Sequence, residues 1–227
     1  PPRPHWVWVN DIVFHHMGDG KSFLLDGESG KMLAMLSHGT AFTGVVMTKD
    51  RSLVLAPEIY FSRGTRGTRT DVVTYYDGKT LDPIHEVGIP PKRVNALPMP
   101  TLYGLTDDDR FLAIYNFTPA QSVSIVDVKA RKFVGEIDTA GCALAIPTGS
   151  RSFMAVCGDG TVLGVKLDDE GRQLAKARTP APIFDPMTDP LQDKGARFGS
   201  SYLFPTYEGD VVPVDFVDGM PKPGKRW

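Results

Sequence analysis

Apolar positions in this chain fall in short runs of four to six residues, each closed by turn-forming residues. Between Arg110 and Gly160 the pattern is plainest. Phe111-Leu-Ala-Ile-Tyr115 follows the acidic turn Thr106-Asp-Asp-Asp109, and a polar loop leads to Val123-Ser-Ile-Val126. That run ends at Asp127, and the turn Lys129-Ala-Arg-Lys132 leads to Phe133-Val-Gly-Glu-Ile137. Three runs of strand length with turns between them predict an antiparallel meander.

The same grammar recurs along the chain. Apolar runs end at Asp26, Asp77, Asp127, Asp168 and Asp215, each with a turn behind it; a further run follows the first four, while Pro221–Trp227 after the fifth reads as a loop. A turn and an apolar run also precede each of these strands. Lys49-Asp-Arg leads to Ser52–Ala56, Gly149-Ser-Arg to Phe153–Val156, and Lys194-Gly-Ala-Arg to a run from Phe198 to Phe204. The spacing of roughly 40 to 50 residues, with four strands per period, is the signature of propeller blades. One four-stranded sheet cannot cover both its faces, whereas radially packed neighbours can. The expected fold is therefore all-β: one β-propeller domain over 1–227, with about four to five blades of four antiparallel strands. Four units are clear and a fifth begins near the C-terminus, so the chain is expected to be a segment of a longer propeller. A carboxylate at a strand end suits a tight turn by accepting backbone N–H groups, which gives the five aspartates a structural role.

Composition narrows the class. The 227 residues include 41% hydrophobic residues, 23 Gly and 19 Pro, which leave helices little room. A net charge of -2 gives no electrostatic reason to expect a nucleic-acid or anionic-membrane partner. No apolar run approaches the roughly 18 residues of a membrane helix. The opening Pro1-Pro-Arg-Pro, with a strand-like run directly behind it, suggests an upstream segment that has been removed.

Cys142 and Cys157 are equidistant from a hairpin midpoint between Gly149 and Ser150, so they face each other across two strands. Directly opposed residues bring their Cβ atoms to about 4.5–5.5 Å, close to disulfide geometry. A bridge there would contribute about 3 kcal/mol in the chain-entropy model and implies an oxidising compartment. Two buried free thiols are the alternative.

No catalytic constellation is visible in this chain. His5, His15, His16, His38 and His85 form no metal spacing with carboxylates or cysteines and read as surface loop residues. Gly64-Thr-Arg-Gly-Thr-Arg69 is glycine-rich but lacks the Lys-Ser/Thr ending of a phosphate loop. No nucleophile elbow or metalloprotease motif appears. Arg63, Arg66 and Arg69 lie in a stretch, Ser62 to Asp71, that reads either as a solvated hairpin tip or as a partner-docking loop.

Several stretches together resemble the large subunit of tryptophan-tryptophylquinone amine dehydrogenases, the aromatic-amine type more than the methylamine type. They are Thr65-Arg-Gly-Thr-Arg-Thr-Asp-Val-Val73, Pro90-Pro-Lys-Arg-Val94, Gly141-Cys142, Arg151-Ser-Phe-Met154 and Cys157-Gly-Asp-Gly160. The resemblance runs from Trp8 to about Asp215, in one register with the repeats. It implies a seven-bladed propeller with one disulfide in this hairpin and no cofactor of its own. The quinone would sit on a small, cysteine-rich partner subunit, in an assembly of two large and two small subunits. Such an assembly deaminates primary amines oxidatively in the periplasm and passes electrons to a blue-copper protein or cytochrome. Phe42, in Gly39-Thr-Ala-Phe-Thr-Gly44, matches the phenylalanine the family places beside the substrate entrance; blade core is the alternative. The family pattern would continue two to three blades beyond Trp227. A periplasmic binding propeller without amine chemistry is the second reading, and a propeller hydrolase a weaker third.

Overall fold

The computed structural model describes residues 4–12, 15, 18–40, 44–94 and 99–227. They form two compact units, Pro1–Pro100 and Thr101–Trp227. Unit 1 holds a three-stranded sheet of β1 (Trp6–Asn10), β2 (Gly20–Asp26) and β3 (Met32–His38). It also holds a four-stranded sheet of β4 (Val46–Met47), β5 (Leu53–Phe61), β6 (Arg69–Asp77) and β7 (Pro83–Ile89). Unit 2 holds three four-stranded meanders. The first is β8 (Tyr103–Leu105), β9 (Phe111–Asn116), β10 (Ser122–Asp127) and β11 (Lys132–Asp138). The second is β12 (Cys142–Gly149), β13 (Ser152–Cys157), β14 (Val162–Leu167) and β15 (Gln173–Arg178). The third is β16 (Ala196–Phe198), β17 (Ser201–Pro205), β18 (Val211–Val217) and β19 (Met220–Pro223). All pairings between these strands are antiparallel, and the sheets are the blades of a β-propeller.

Burial explains the two kinds of hydrophobic run. Every residue of β9 and β10 is buried, because their sheet is covered on both faces. The fourth strands β11 and β15 are largely exposed, so their sequences are mixed. Within unit 2, β12 packs on β8 and β9, and β14 on β19. Two glycines set how closely these sheets approach. A Cβ on Gly104 would lie 2.6 Å from Pro147 Cδ, and one on Gly164 would lie 2.5 Å from Pro221 Cδ.

The strand-end aspartates behave as turn acceptors. Asp26 takes the Glu28 N–H, Asp77 those of Lys79 and Thr80, Asp127 that of Ala130, and Asp168 those of Glu170 and Arg172. Asp215 differs: β18 runs on to Val217, so Asp215 lies within the strand and accepts the Ser201 hydroxyl instead. The expected Phe198–Phe204 run is likewise broken by a tight hairpin at Gly199, whose φ is +62°. Arginines hold the acidic turn before β9 to the next two sheets of unit 2. Asp108 pairs with Arg151, and Asp107 takes a bidentate contact from Arg197 at 2.5 and 2.7 Å.

The disulfide Cys142–Cys157 forms between directly paired residues of β12 and β13, as the sequence predicts. The hairpin itself turns at Ser150 and Arg151, one residue later than its symmetry suggests. Two extra residues bulge from β12, one beside Leu144, which adopts φ +77°, and they restore the register before Cys142 is reached.

Candidate functional site

The two halves of unit 1 meet at the end of β3, β5 and β6 where the arginine loop lies. Beyond His38 the chain crosses to the second sheet: Thr40 donates to the Ile59 carbonyl at 2.7 Å, and Gly39 N–H reaches Glu58 Oε1 at 3.2 Å. A cavity of about 270 Å³ opens here, with Asp19, Ser37, Thr40, Tyr60 and Phe61 on its walls and Gly64 of the arginine loop at its side.

Two buried titratable groups belong to this region: His38, which lines the cavity, and Glu58, which accepts from Gly39 of its lining. Glu58 is fully buried in β5 and accepts from the Thr74 hydroxyl, from Tyr76 at 3.0 Å, and from Gly39. Burial pushes its carboxyl up, while these donors pull it back toward the ionised form. Burial and the Glu58 charge push the Tyr60 and Tyr76 hydroxyls upward in turn. His38 is only 4% exposed; burial and then the Arg93 charge lower its pKa to about 4, so it is neutral at pH 7. Its Nε2 lies 2.7 Å from Ser22 Oγ, and Ser22 donates to Asn10 Oδ1 at 2.6 Å.

The arrangement does not activate Ser22 as a nucleophile. Ser22 is fully buried and sends its proton away from the histidine, the reverse of what an activated serine requires. Among the described residues no group of three His, Cys, Asp or Glu could hold a metal ion. The cavity offers hydroxyls, one carboxylate, the His38 imidazole and two further aromatic rings, which suits the passage or holding of a small polar molecule.

The predicted site residues are placed unequally. Phe42 lies outside the described residues. Arg63 and Arg66 are exposed on a compact loop, closed by Ser62 N–H to the Thr68 carbonyl at 3.0 Å and Arg63 N–H to the Arg66 carbonyl at 3.0 Å. Arg69 is not in the loop. It opens β6, where it grips buried Asp71 through two bonds of 2.6 Å and donates to the Arg93 carbonyl at 2.7 Å. His38 was read as a surface residue and is buried instead. Its signal was parity, since Leu36 and His38 occupy the same inward face of β3. Glu58 could have been found as the one acid inside the apolar run Leu53–Phe61. His5 and His85 do lie toward the surface, His5 against Glu28 at 3.1 Å and His85 edge-on to Tyr75 at 5.7 Å.

The family model for the methylamine dehydrogenase heavy chain matches residues 4–223. The chain belongs to that family. Among curated relatives, the methylamine dehydrogenase heavy chain of Methylophilus methylotrophus is 30% identical over 207 residues, 90% of this chain and 50% of the relative. That of Methylorubrum extorquens is 27% identical over 218 residues, 95% of this chain and 52% of the relative. That of Paracoccus versutus is 28% identical over 220 residues, 95% and 50% respectively. This chain thus spans about half the length of the curated relatives it matches. A solved structure, dihydro-heme d1 dehydrogenase NirN in complex with DHE, overlays 98% of this chain and 45% of that chain. Its TM-score is 0.59 at 18% identity, a likeness of fold. The relatives named here are all of the methylamine type.

Proposed function

We propose that this chain is propeller substance of the heavy subunit of a periplasmic quinoprotein amine dehydrogenase. In that role it scaffolds a small quinone-bearing subunit and shapes the approach of a primary amine. The observation that carries the reading is family membership over residues 4–223. The cavity lined by Thr40 and by Gly64 of the arginine loop supports it as a place where a small polar molecule could be held. The disulfide supports an oxidising compartment. When present on the partner, tryptophan tryptophylquinone supplies the electron sink for amine oxidation. The residues of this chain would exclude water, orient the amine and hold the partner, with Arg63 and Arg66 as docking cations and Arg69 as the strut beneath them. Two large and two small subunits, with a blue-copper protein or cytochrome as acceptor, complete the proposed assembly.

A longer propeller is also part of this reading. Along β17 and β18 burial alternates, so that sheet is packed on one face, unlike β9 and β10. A further blade against the open face would give it the double cover of its neighbours.

Purification of the full-length protein from its source tests the proposal. A co-purifying small subunit with visible quinone absorbance and amine-dependent dye reduction is expected. A colourless protein without such a partner would return the second reading, a binding propeller without amine chemistry. An amine panel from methylamine to aryl-ethylamines then decides between the methylamine type of the relatives and the aromatic type that the sequence stretches resemble. Phe42→Ala should change KM or amine preference while leaving quinone formation intact; unchanged kinetics across the panel would remove Phe42 from the channel.

A further inference from the structure

Glu58 sits where the apolar seam between the two sheets of unit 1 gives way to the cavity beside Thr40. Val54, Ala56, Glu58 and Tyr60 alternate along β5 and so share one face. Val54 and Ala56 pack with Leu36 of β3 and Tyr76 of β6. The next position on that face presents a carboxylate that is fully buried. Its partners come from both sides of the cavity. Gly39 N–H, from the lining that follows β3, reaches Oε1 at 3.2 Å, and the Tyr60 hydroxyl, from the lining at the end of β5, bonds to the same carboxylate. The Thr74 and Tyr76 hydroxyls complete the set from β6. A carboxylate has about four acceptor positions, so these donors fill it.

The backbone that Glu58 holds is tightly placed. Gly39 runs so close to β5 that an added Cβ would lie 2.5 Å from the Ile59 carbonyl oxygen. Its own carbonyl accepts from Gly20 N–H at 3.1 Å, and Thr40 N–H is held by the Ile59 carbonyl at 2.7 Å. Glu58 takes the Gly39 N–H between these two anchors, and a buried amide left without an acceptor is costly. Tyr60 is 41% exposed, so packing holds its ring only in part, and the hydroxyl bond to Glu58 supplies the rest. We propose that Glu58 is a positioning residue for this cavity: by bonding Gly39 on one side and Tyr60 on the other, it sets the width of the opening and the size of the amine admitted. Glu58 does not itself line the cavity and acts on it through the residues it holds. The part about amine size rests on the amine dehydrogenase reading; the hold on Gly39 and Tyr60 does not.

The test uses the full-length protein as purified, with Glu58→Gln, Glu58→Met and Tyr60→Phe. Amide exchange followed by mass spectrometry on peptides containing Gly39 and Thr40, with β9 and β10 as the reference for global opening, reads the hold on the wall. Glu58→Met, which keeps the volume and removes the acceptors, should speed exchange at Gly39 and Thr40 about tenfold, the factor one net hydrogen bond supplies, and leave β9 and β10 unchanged. Glu58→Gln, which keeps an acceptor for Gly39, should stay within about threefold of wild type. Unchanged exchange in Glu58→Met, or a rise shared equally by β9 and β10, overturns the assignment. Steady-state kinetics with methylamine and 2-phenylethylamine read the control of size. Glu58→Met and Tyr60→Phe should shift the ratio of the two KM values about threefold to tenfold with kcat kept, and Glu58→Gln should restore it. A wild-type ratio in both variants overturns that control, and should Glu58→Met not fold, a wild-type ratio in Tyr60→Phe alone does so. A wild type that oxidises neither amine refutes the amine reading instead, and the exchange result then decides the role of Glu58 by itself.

Discussion

Replacing His38 with Gln should change how stability depends on pH more than it changes stability at neutrality. Burial, and then Arg93 and Lys21, depress the imidazole from its ordinary 6.5 to about 4, against the opposing pull of the Gly39 backbone and Asp19. A depressed folded-state pKa means the unfolded chain takes up the proton first. Stability from this group is therefore complete above pH 6.5 and is lost as the pH falls toward 4. Integrating proton uptake between pH 7.5 and 5 gives a loss of about 2 kcal/mol, or about 4–8 °C in melting temperature for a chain of this size. Glu58 has the opposite sign, because its carboxyl is raised, but it is present in both proteins and cancels in the comparison. Urea unfolding of wild type and His38→Gln at the two pH values is the assay. The gap between them should close or invert by about 2 kcal/mol at pH 5. Parallel pH curves, or an NMR titration of the His38 ring with a midpoint near 6.5, would refute the buried neutral histidine.

Reducing the disulfide or replacing both Cys142 and Cys157 with Ser should cost about 3 kcal/mol in denaturant unfolding, the loop-closure value for a bridge of this span. Gly104→Ala places a methyl against Pro147 and should lower stability by about 1–3 kcal/mol, as overpacking does, seen as an earlier thermal melt; an unchanged melt would mean the sheets can part freely. Arg69→Ala leaves Asp71 buried without its cation and should cost about 3 kcal/mol. Arg63→Glu with Arg66→Glu should leave the melt unchanged and weaken association with the proposed small subunit, read by sedimentation at two salt concentrations.

The blades were legible because each strand's environment is uniform along its length. β9 and β10 are covered on both faces and read as solid apolar runs, while the turns between them carry Asp and Gly at positions that need N–H acceptors or positive φ. The disulfide was legible for a similar reason, since strand pairing is a symmetry of sequence about a turn. The symmetry was imperfect: the bulges in β12 shift the turn by one residue, and nothing in Ala143–Ile146 announces a bulge. What stayed hidden were polar groups whose environment is set by neighbours distant in sequence. His38 is an interior residue whose ring meets Ser22 on the adjacent β2, with Asn10 beyond it on β1, and the Glu58 cluster draws on Gly39, Thr74 and Tyr76.

The arginine loop shows where composition stops being a guide to role. Arg63, Arg66 and Arg69 sit at a spacing of three and look equivalent in sequence, yet strand pairing separates them. Arg69 faces Asp71, two residues on along the same face of β6, and that carboxylate has no exposed surface on its side chain. Its charge is spent holding the β6 edge and the Arg93 backbone together, so it sets the position of the loop without being available to a partner. Arg63 and Arg66 lie beyond the last ladder pair of β5 and β6, Phe61 with Arg69, on the turn that the ladder projects. A docking role therefore divides into two measurable parts: a folded-state penalty that follows Arg69 and is largely independent of salt, and an association term that follows Arg63 and Arg66 and falls with ionic strength. If charge reversal at Arg63 and Arg66 lowered the melt as Arg69→Ala does, the division would be wrong and the loop would be scaffold throughout.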